Sequence, residues 1–176
     1  MVVRPLPTDL YLDTSFVVPA VLARTPQHER AVELTIELQT SDCYVSFFPI
    51  LRVEYVQALA NIGRHLRRGT GVDIELQRRF RLRRWERDVG VRRDWLRSGV
   101  NEFDLWLARF DRLAELPLST TAWRTSLTIM ADHQLLSNDA LHVATAWEHG
   151  IYDFATFDAG FERLERAGDL TLWPRH

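Results

Sequence analysis

The sequence has no lysine, one cysteine, two methionines and no apolar run longer than the eight residues 16–23, which Pro19 interrupts. Each shortage excludes something. A membrane-spanning helix needs about 20 consecutive apolar residues, so no span is expected. Cys43 cannot form an internal disulfide, and in an apolar run it reads as a small core residue rather than a nucleophile. No cysteine or histidine cluster occurs at zinc spacing, and without a disulfide framework a reducing cytoplasm is the expected compartment. The opening MVVRPLPTDLYLDTS also lacks the charged start and the apolar stretch of about 7–15 residues that mark a secretory signal.

With lysine missing, all 22 basic side chains are arginine. A GC-rich coding sequence accounts for that ratio but not for the distribution. Between Arg64 and Arg97 there are twelve arginines against five acids, a net +7, which leaves −9 for the rest of a chain whose total is −2. A basic segment beside an acidic body suits a protein that attracts phosphates with one part and holds cations with the other.

What is present is enough for one globular domain: 176 residues, 46% apolar, with 9 Phe, 6 Trp and 4 Tyr to build a core. Residues 9–12 read as a strand that hands over at Asp13-Thr14-Ser15 to a helix starting near Ser15. Thr25-Pro26 offers an N-cap and a first-turn proline for a helix running to about Gln39, and residues 43–47 form the next strand. After Pro49, the 3–4 spacing of Leu51, Tyr55, Ala58, Leu59 and Ile62 predicts a helix that carries Glu54 in its second turn. Residues 64–99 read as an Arg-rich helical insertion, with helices again at 101–115 and 121–134. Ser137 is positioned to cap a helix over 138–149, which Gly150 ends. A strand over 152–156, a short helix over 161–167 and a strand over 170–173 complete the pattern. Strands alternating with helices predict an α/β fold of three α/β/α layers around a mostly parallel sheet.

Ligands of such sheets bind beyond the carboxyl ends of the strands. Asp13 ends the first strand, Asp158 follows the strand at 152–156, Asp139 lies in the first turn of its helix, and Glu54 lies in the helix after the second strand. Taken singly, each has an ordinary structural explanation as a cap, a turn residue or a solvated helix acid. Together at one end of a sheet, four carboxylates repel one another unless a cation neutralises them. An all-oxygen donor set favours Mg²⁺ or Mn²⁺. The reaction such a site implies is phosphodiester hydrolysis by an activated water, without a covalent enzyme intermediate. Thr14, Ser15, Asn138 and Thr156 are placed to orient the carboxylates.

The strings YLDTSFVVPAVL, residues 11–22, and LLSNDALHVATAWEHGIYDFATFDAGFERL, residues 135–164, resemble the opening and closing motifs of PIN-domain nucleases, in particular the VapC-type ribonuclease toxins. The second string is the more specific, with an aspartate before Ala-Leu-His-x-Ala-x-Ala, a glycine eleven residues on, then a strand and Thr-x-Asp-x-x-Phe. The resemblance implies that Asp13, Glu54, Asp139 and Asp158 are acidic metal-binding and catalytic residues. It also implies Mg²⁺- or Mn²⁺-dependent cutting of RNA, usually tRNA or ribosomal RNA, with a cognate antitoxin and a homodimer as partners. Three features depart from the family pattern. Gly160 stands where many relatives carry a further acid, the spacing from Ser46 to Glu54 is long, and the arginine-rich stretch adds length.

Within that stretch, Arg78, Arg79, Arg81, Arg83 and Arg84, with Trp85 among them, can grip an RNA backbone while the aromatic stacks on a base. They equally suit a solvated helix face or a surface covered by an acidic partner. His142 reads as a hydrogen-bonded core residue rather than a ligand. Two alternatives stay open at this stage: a PIN nuclease that processes RNA or DNA without an antitoxin, and a catalytically silent nucleic-acid-binding module. A phosphatase-type hydrolase with Asp13 as nucleophile is disfavoured, because residue 15 is Ser where such enzymes place a second aspartate.

Overall fold

The computed structural model describes residues 5–23, 25–66 and 89–174. Its centre is a five-stranded sheet of β1 (Asp9–Leu12), β2 (Tyr44–Phe47), β3 (Leu113–Glu115), β4 (Asp153–Ala155) and β5 (Thr171–Trp173), in the order β3-β2-β1-β4-β5. Every pairing is parallel. Parallel neighbours need crossovers, and helices supply them: α1 (Thr14–Val21), α2 (His28–Gln39), α3 (Ile50–Leu66), α4 (Val89–Leu107), α5 (Thr120–His133), α6 (Ser137–Glu148) and the short α7 (Glu162–Ala167), which a single 3-10 turn, Ala159–Phe161, precedes.

Strand side chains alternate between faces, and β1 divides the core accordingly. Leu10 and Leu12 join Phe16, Leu34, Leu51, Tyr55, Phe103 and Trp106 in a cluster built with α1 to α4. Tyr11, between them, joins Ile129, Val143, Phe154, Phe161 and Leu164 in a second cluster built with α5 to α7. The α/β three-layer fold expected from the sequence is therefore present, with the helices among the described residues split four and three across the sheet. None of the helices among the described residues is long and apolar enough to cross a membrane.

Four local expectations are corrected. The helix expected over 101–115 ends at Leu107, and its last residues instead form β3, in register Val45↔Leu113 and Phe47↔Glu115 with β2. Leu-Ala-Glu has good helix propensity, but the ladder offered by the β2 edge outweighs it. Gly99 is not the border of an insertion. It lies inside α4, where a Cβ would stand 2.6 Å from the Leu59 Cδ1, so its missing side chain lets α4 close onto α3. The Tyr55 hydroxyl donates to the Gly99 carbonyl at 3.2 Å across the same contact.

The other two corrections concern helix starts. Thr25 does not cap α2, which begins at His28 with Gln27 at the N-cap and no side-chain cap bond. The Thr25 carbonyl accepts from the His28 amide in a turn before the helix. Ser137 is the first residue of α6 rather than its cap, a place taken by Leu136. Of the insertion expected at about 64–99, residues 64–66 end α3, 89–99 belong to α4, and 67–88 lie outside the described residues.

Arg52 ties these layers together. Its guanidinium donates to Glu115 Oε2 at 3.1 and 3.2 Å and to Asp104 Oδ1 at 3.1 Å, and lies over the rings of Phe47 and Phe103. It thereby joins α3 to β3 and α4. Exposed ion pairs contribute little singly, so most of its effect comes from ring contact and covered apolar surface. Arg52→Ala is expected to lower the unfolding free energy by about 1 kcal/mol, with little change when 0.5 M salt is added during denaturant titration. A loss that high salt reproduces in the unsubstituted protein would instead assign the effect to the ion pairs.

Candidate active site

The strand order reverses between β1 and β4, which puts a crevice at their carboxyl ends. Asp13 follows β1 directly and is the N-cap of α1, with its side chain accepting from the Ser15 amide at 3.1 Å. The same oxygen, Oδ2, accepts from the Ser15 hydroxyl at 2.5 Å and from the Thr156 hydroxyl at 2.8 Å. Asp13 is buried, only 5% exposed. Three donors on Oδ2 fix the carboxylate and leave Oδ1 as its outward acceptor.

Thr156 follows β4, and its backbone amide bonds the Trp173 carbonyl of β5. Its hydroxyl also accepts from the Asp158 amide at 3.0 Å, while the Ser15 hydroxyl accepts from the Phe157 amide at 2.8 Å. Thr156 and Ser15 thus stitch the end of β4 to the end of β1. Asp158 begins the 3-10 turn, where its Oδ1 accepts from the Gly160 amide at 2.7 Å. A Cβ at Gly160 would come within 3.1 Å of that oxygen. The glycine found in place of a further acid therefore leaves room for the Asp158 side chain to fold onto its own turn.

Glu54 reaches the same crevice from the second turn of α3, crossing to residues of α1 and α6. Its Oε2 accepts from the Thr14 hydroxyl at 2.5 Å and from His142 Nε2 at 3.0 Å, and its Oε1 accepts from the Asn138 amide at 2.8 Å. Burial opposes its charge, but hydrogen bonds from His142, Thr14 and Asn138 outweigh burial and hold its carboxyl below the ordinary value.

Asp139 lies in the first turn of α6. Its carboxyl is pushed up to about 6, first by burial and then by the negative charges of Asp13, Asp158 and Glu54, with His142 acting against them. A helix N-terminus ordinarily favours a carboxylate. Here burial, together with the repulsion of Asp13, Asp158 and Glu54, prevails, and that repulsion puts all four acids in one electrostatic cluster.

Such a cluster fits a hard divalent cation. The donors of Asp13, Asp139 and Asp158 are oxygens only, and a cation would relieve the repulsion that raises Asp139. Ligand atoms of Asp13, Glu54 and His142 also lie within 4.8 Å of one another. Both ring nitrogens of His142 are engaged, however, by Glu54 at one end and by the Tyr11 hydroxyl at 2.9 Å at the other. The histidine is fully buried and supports the carboxylates rather than joining them as a ligand.

The structure thus brings together Asp13, Glu54, Asp139, Asp158, Thr14, Ser15, Asn138 and Thr156, all singled out from the sequence. Arg78, Arg79, Arg81, Arg83 and Arg84 lie outside the described residues. Tyr11 was not anticipated. The available signal was a tyrosine inside an apolar strand two residues before Asp13, since a fully buried phenol needs a hydrogen-bond partner.

A family model described as PIN domain matches residues 10–167. No curated protein sequence matches the chain. Among solved structures, VapBC2 from Rickettsia felis, bound to a DNA fragment from its promoter, superposes with a TM-score of 0.55 at 14% identity, over 93% of this chain and 96% of that one. Mycobacterium tuberculosis VapC20, described as a sarcin-ricin loop cleaving toxin, gives 0.55 at 16% identity, over 87% and 92%. PAE2754 from Pyrobaculum aerophilum gives 0.52 at 12% identity, over 94% and 89%. At these identities the likeness is one of fold.

Proposed function

Because the chain belongs to the PIN domain family, we propose that it is a divalent-metal-dependent endoribonuclease and the toxin of a toxin–antitoxin pair. The observation that carries this reading is the Asp13, Glu54, Asp139, Asp158 cluster at the β1/β4 crevice, with Asp139 raised to about 6 by burial and by its acidic neighbours. A group so displaced, in a cleft and among like charges, marks a site built to take a cation.

In this reading Asp13, Asp139 and Asp158 would hold Mg²⁺ or Mn²⁺, with Glu54 completing the negative charge. The bound ion supplies Lewis acidity and lowers the pKa of water. Ser15 and Thr156 keep Asp13 from rotating, while Thr14, Asn138 and His142 keep Glu54 ionised and aimed. The carboxylates would hold the cation whose charge offsets their repulsion of the scissile phosphate, and no side chain forms a bond to phosphorus. The arginines at 78, 79, 81, 83 and 84 supply the grip on the RNA backbone. Their joint replacement is expected to flatten the salt dependence of RNA binding.

The fold shared with VapC20, a toxin described as cleaving the sarcin-ricin loop, supports ribosomal RNA as substrate, with tRNA the other candidate. VapBC2, which is bound to a fragment of its promoter, has the same fold, which supports an antitoxin partner. Exposed apolar side chains at Trp123, Leu127 and Leu136 support a further protein contact, read here as the homodimer.

The deciding experiment incubates the purified protein, freed of partners, with total cellular RNA with and without Mg²⁺ or Mn²⁺, and maps new 5′ ends. Discrete metal-dependent cuts that disappear with Asp13→Asn are expected, together with growth arrest on expression that a neighbouring gene relieves. RNA left intact with metal, while still bound with a steep salt dependence, would replace the nuclease by a silent binding module. Cutting without toxicity would move the protein to RNA processing.

A further inference from the structure

Glu54 differs from the aspartates of the site in how it is fixed. Asp13 is short and anchored by its own helix start, whereas Glu54 carries a longer, more flexible side chain from a helix that packs beyond β2. Holding such a side chain in one conformation costs rotamer entropy that its partners must offset. Its partners are Thr14, Asn138 and His142. Thr14 and Asn138 sit at the crevice, but His142 is wholly enclosed and ties Glu54 to the core.

The enclosure is specific. The His142 ring meets the Tyr11 ring edge-on at 5.7 Å and the Phe48 ring edge-on at 6.0 Å. Tyr11 is itself stacked on Phe154 at 4.8 Å and fully buried. The Glu54 carboxylate only accepts, so His142 Nε2 carries a proton. With that proton on Nε2, the neutral ring keeps Nδ1 as its acceptor, and the Tyr11 hydroxyl, 2.9 Å away, is placed to donate to it. In that tautomer the bonds run from Tyr11 to His142 and from His142 to Glu54.

We propose that Tyr11 and His142 are positioning residues for the cation site: a buried chain from β1 through α6 fixes the His142 tautomer and thereby the orientation of Glu54. The proposal rests on the assignment of Glu54 to that site. It accounts for how a glutamate at an unusually long spacing from Ser46 still presents a defined carboxylate. A carboxylate has about four acceptor positions, three of which are filled here, so the chain also decides which one remains for the site.

The test uses the full chain free of metal. Nitrogen-15 NMR of the His142 ring is expected to show a protonated Nε2 and an unprotonated Nδ1, with a ring N–H slow to exchange. A ring protonated at Nδ1 alone, unable to donate to Glu54, overturns the proposal.

Mn²⁺ binding followed by paramagnetic resonance supplies the second readout. His142→Gln places an amide donor near Nε2 and keeps the bond to Glu54; His142→Asn reaches only toward Tyr11. The Asn variant is expected to bind Mn²⁺ about tenfold more weakly, and the Gln variant to stay within about threefold of the unsubstituted protein, at similar melting temperatures. Equal Mn²⁺ affinity in the two variants would reduce His142 to a packing residue. Tyr11→Phe keeps the stack on Phe154 while removing the hydroxyl, and is expected to give a mixed tautomer. An unchanged single tautomer in that variant overturns the part assigned to Tyr11. If the unsubstituted protein binds no Mn²⁺, the metal reading fails, and the ring tautomer still decides the hydrogen-bond chain.

Discussion

Asp139→Asn is expected to reduce RNA cleavage by about 10³-fold or more while making the metal-free protein more stable. The two effects have one cause. Folding brings Asp139 into partial burial beside Asp13, Asp158 and Glu54, which raises its carboxyl from 3.8 to about 6. A raised carboxyl binds more protons in the folded than in the unfolded state between those values, so the charged form costs stability as pH rises through the window. Below about pH 4 both states are protonated and the cost vanishes. Above about pH 6 it is complete, on the order of 1 kcal/mol once solvent screening of a half-buried group is allowed for.

Asparagine resembles the protonated acid and escapes that cost. The difference between variant and unsubstituted protein is therefore expected to be absent near pH 3.5 and to grow to about 1 kcal/mol by pH 7 in denaturant titrations without metal. Added Mn²⁺ should reverse the order, because binding to the folded state stabilises only the chain that retains its ligands. A variant less stable than the unsubstituted protein at pH 7 without metal would contradict the clustering of the acids.

Asp13→Ala is expected to abolish cleavage as well, but with the opposite effect on stability. Asp13 is the acceptor for the Ser15 amide and for the hydroxyls of Ser15 and Thr156. Removing its side chain deletes the cap of α1, a loss of about 1 kcal/mol, and leaves buried donors at the β1/β4 junction without their shared acceptor. A total loss of about 2–3 kcal/mol is expected, which for a chain of this size lowers the melting temperature by about 4–12 °C. Asp13→Asn keeps a carbonyl oxygen for these donors and is expected to cost less than half as much, with cleavage still lost. Equal stability of the Ala and Asn variants would mean that the three hydrogen bonds do not hold the junction. The two aspartates are thus separable by a melting curve although their effects on cleavage are alike.

Several of these assignments were readable from residue order. A strand ending in Asp-Thr-Ser announced a βα turn with Asp13 at its tip, and the structure makes that residue the cap of α1. The Asp139 helix and the Thr-Phe-Asp turn were equally legible, because each acid sits next to an element boundary that local chemistry defines. Glu54 was placed by helical periodicity alone, which gives its turn but not its partners. β3 could not be read: three residues of good helix propensity form a strand only because the β2 edge beside them is unpaired without it. Gly99 likewise looked like a boundary, since nothing in the sequence tells that Leu59 fills the space where its side chain would be.

By itself the sequence determined the alternation of strands and helices, the parallel sheet that this alternation requires, and the placing of the four acids at or near element ends, because periodicity, caps and turn chemistry act over a few residues. The tertiary structure alone decided which carboxylate oxygens are filled and which face outward, how far burial and repulsion raise Asp139, and that Tyr11, 131 residues from His142, holds it through a single hydrogen bond. Those properties arise from burial and from contacts between distant segments, and both come into existence only when the chain has packed.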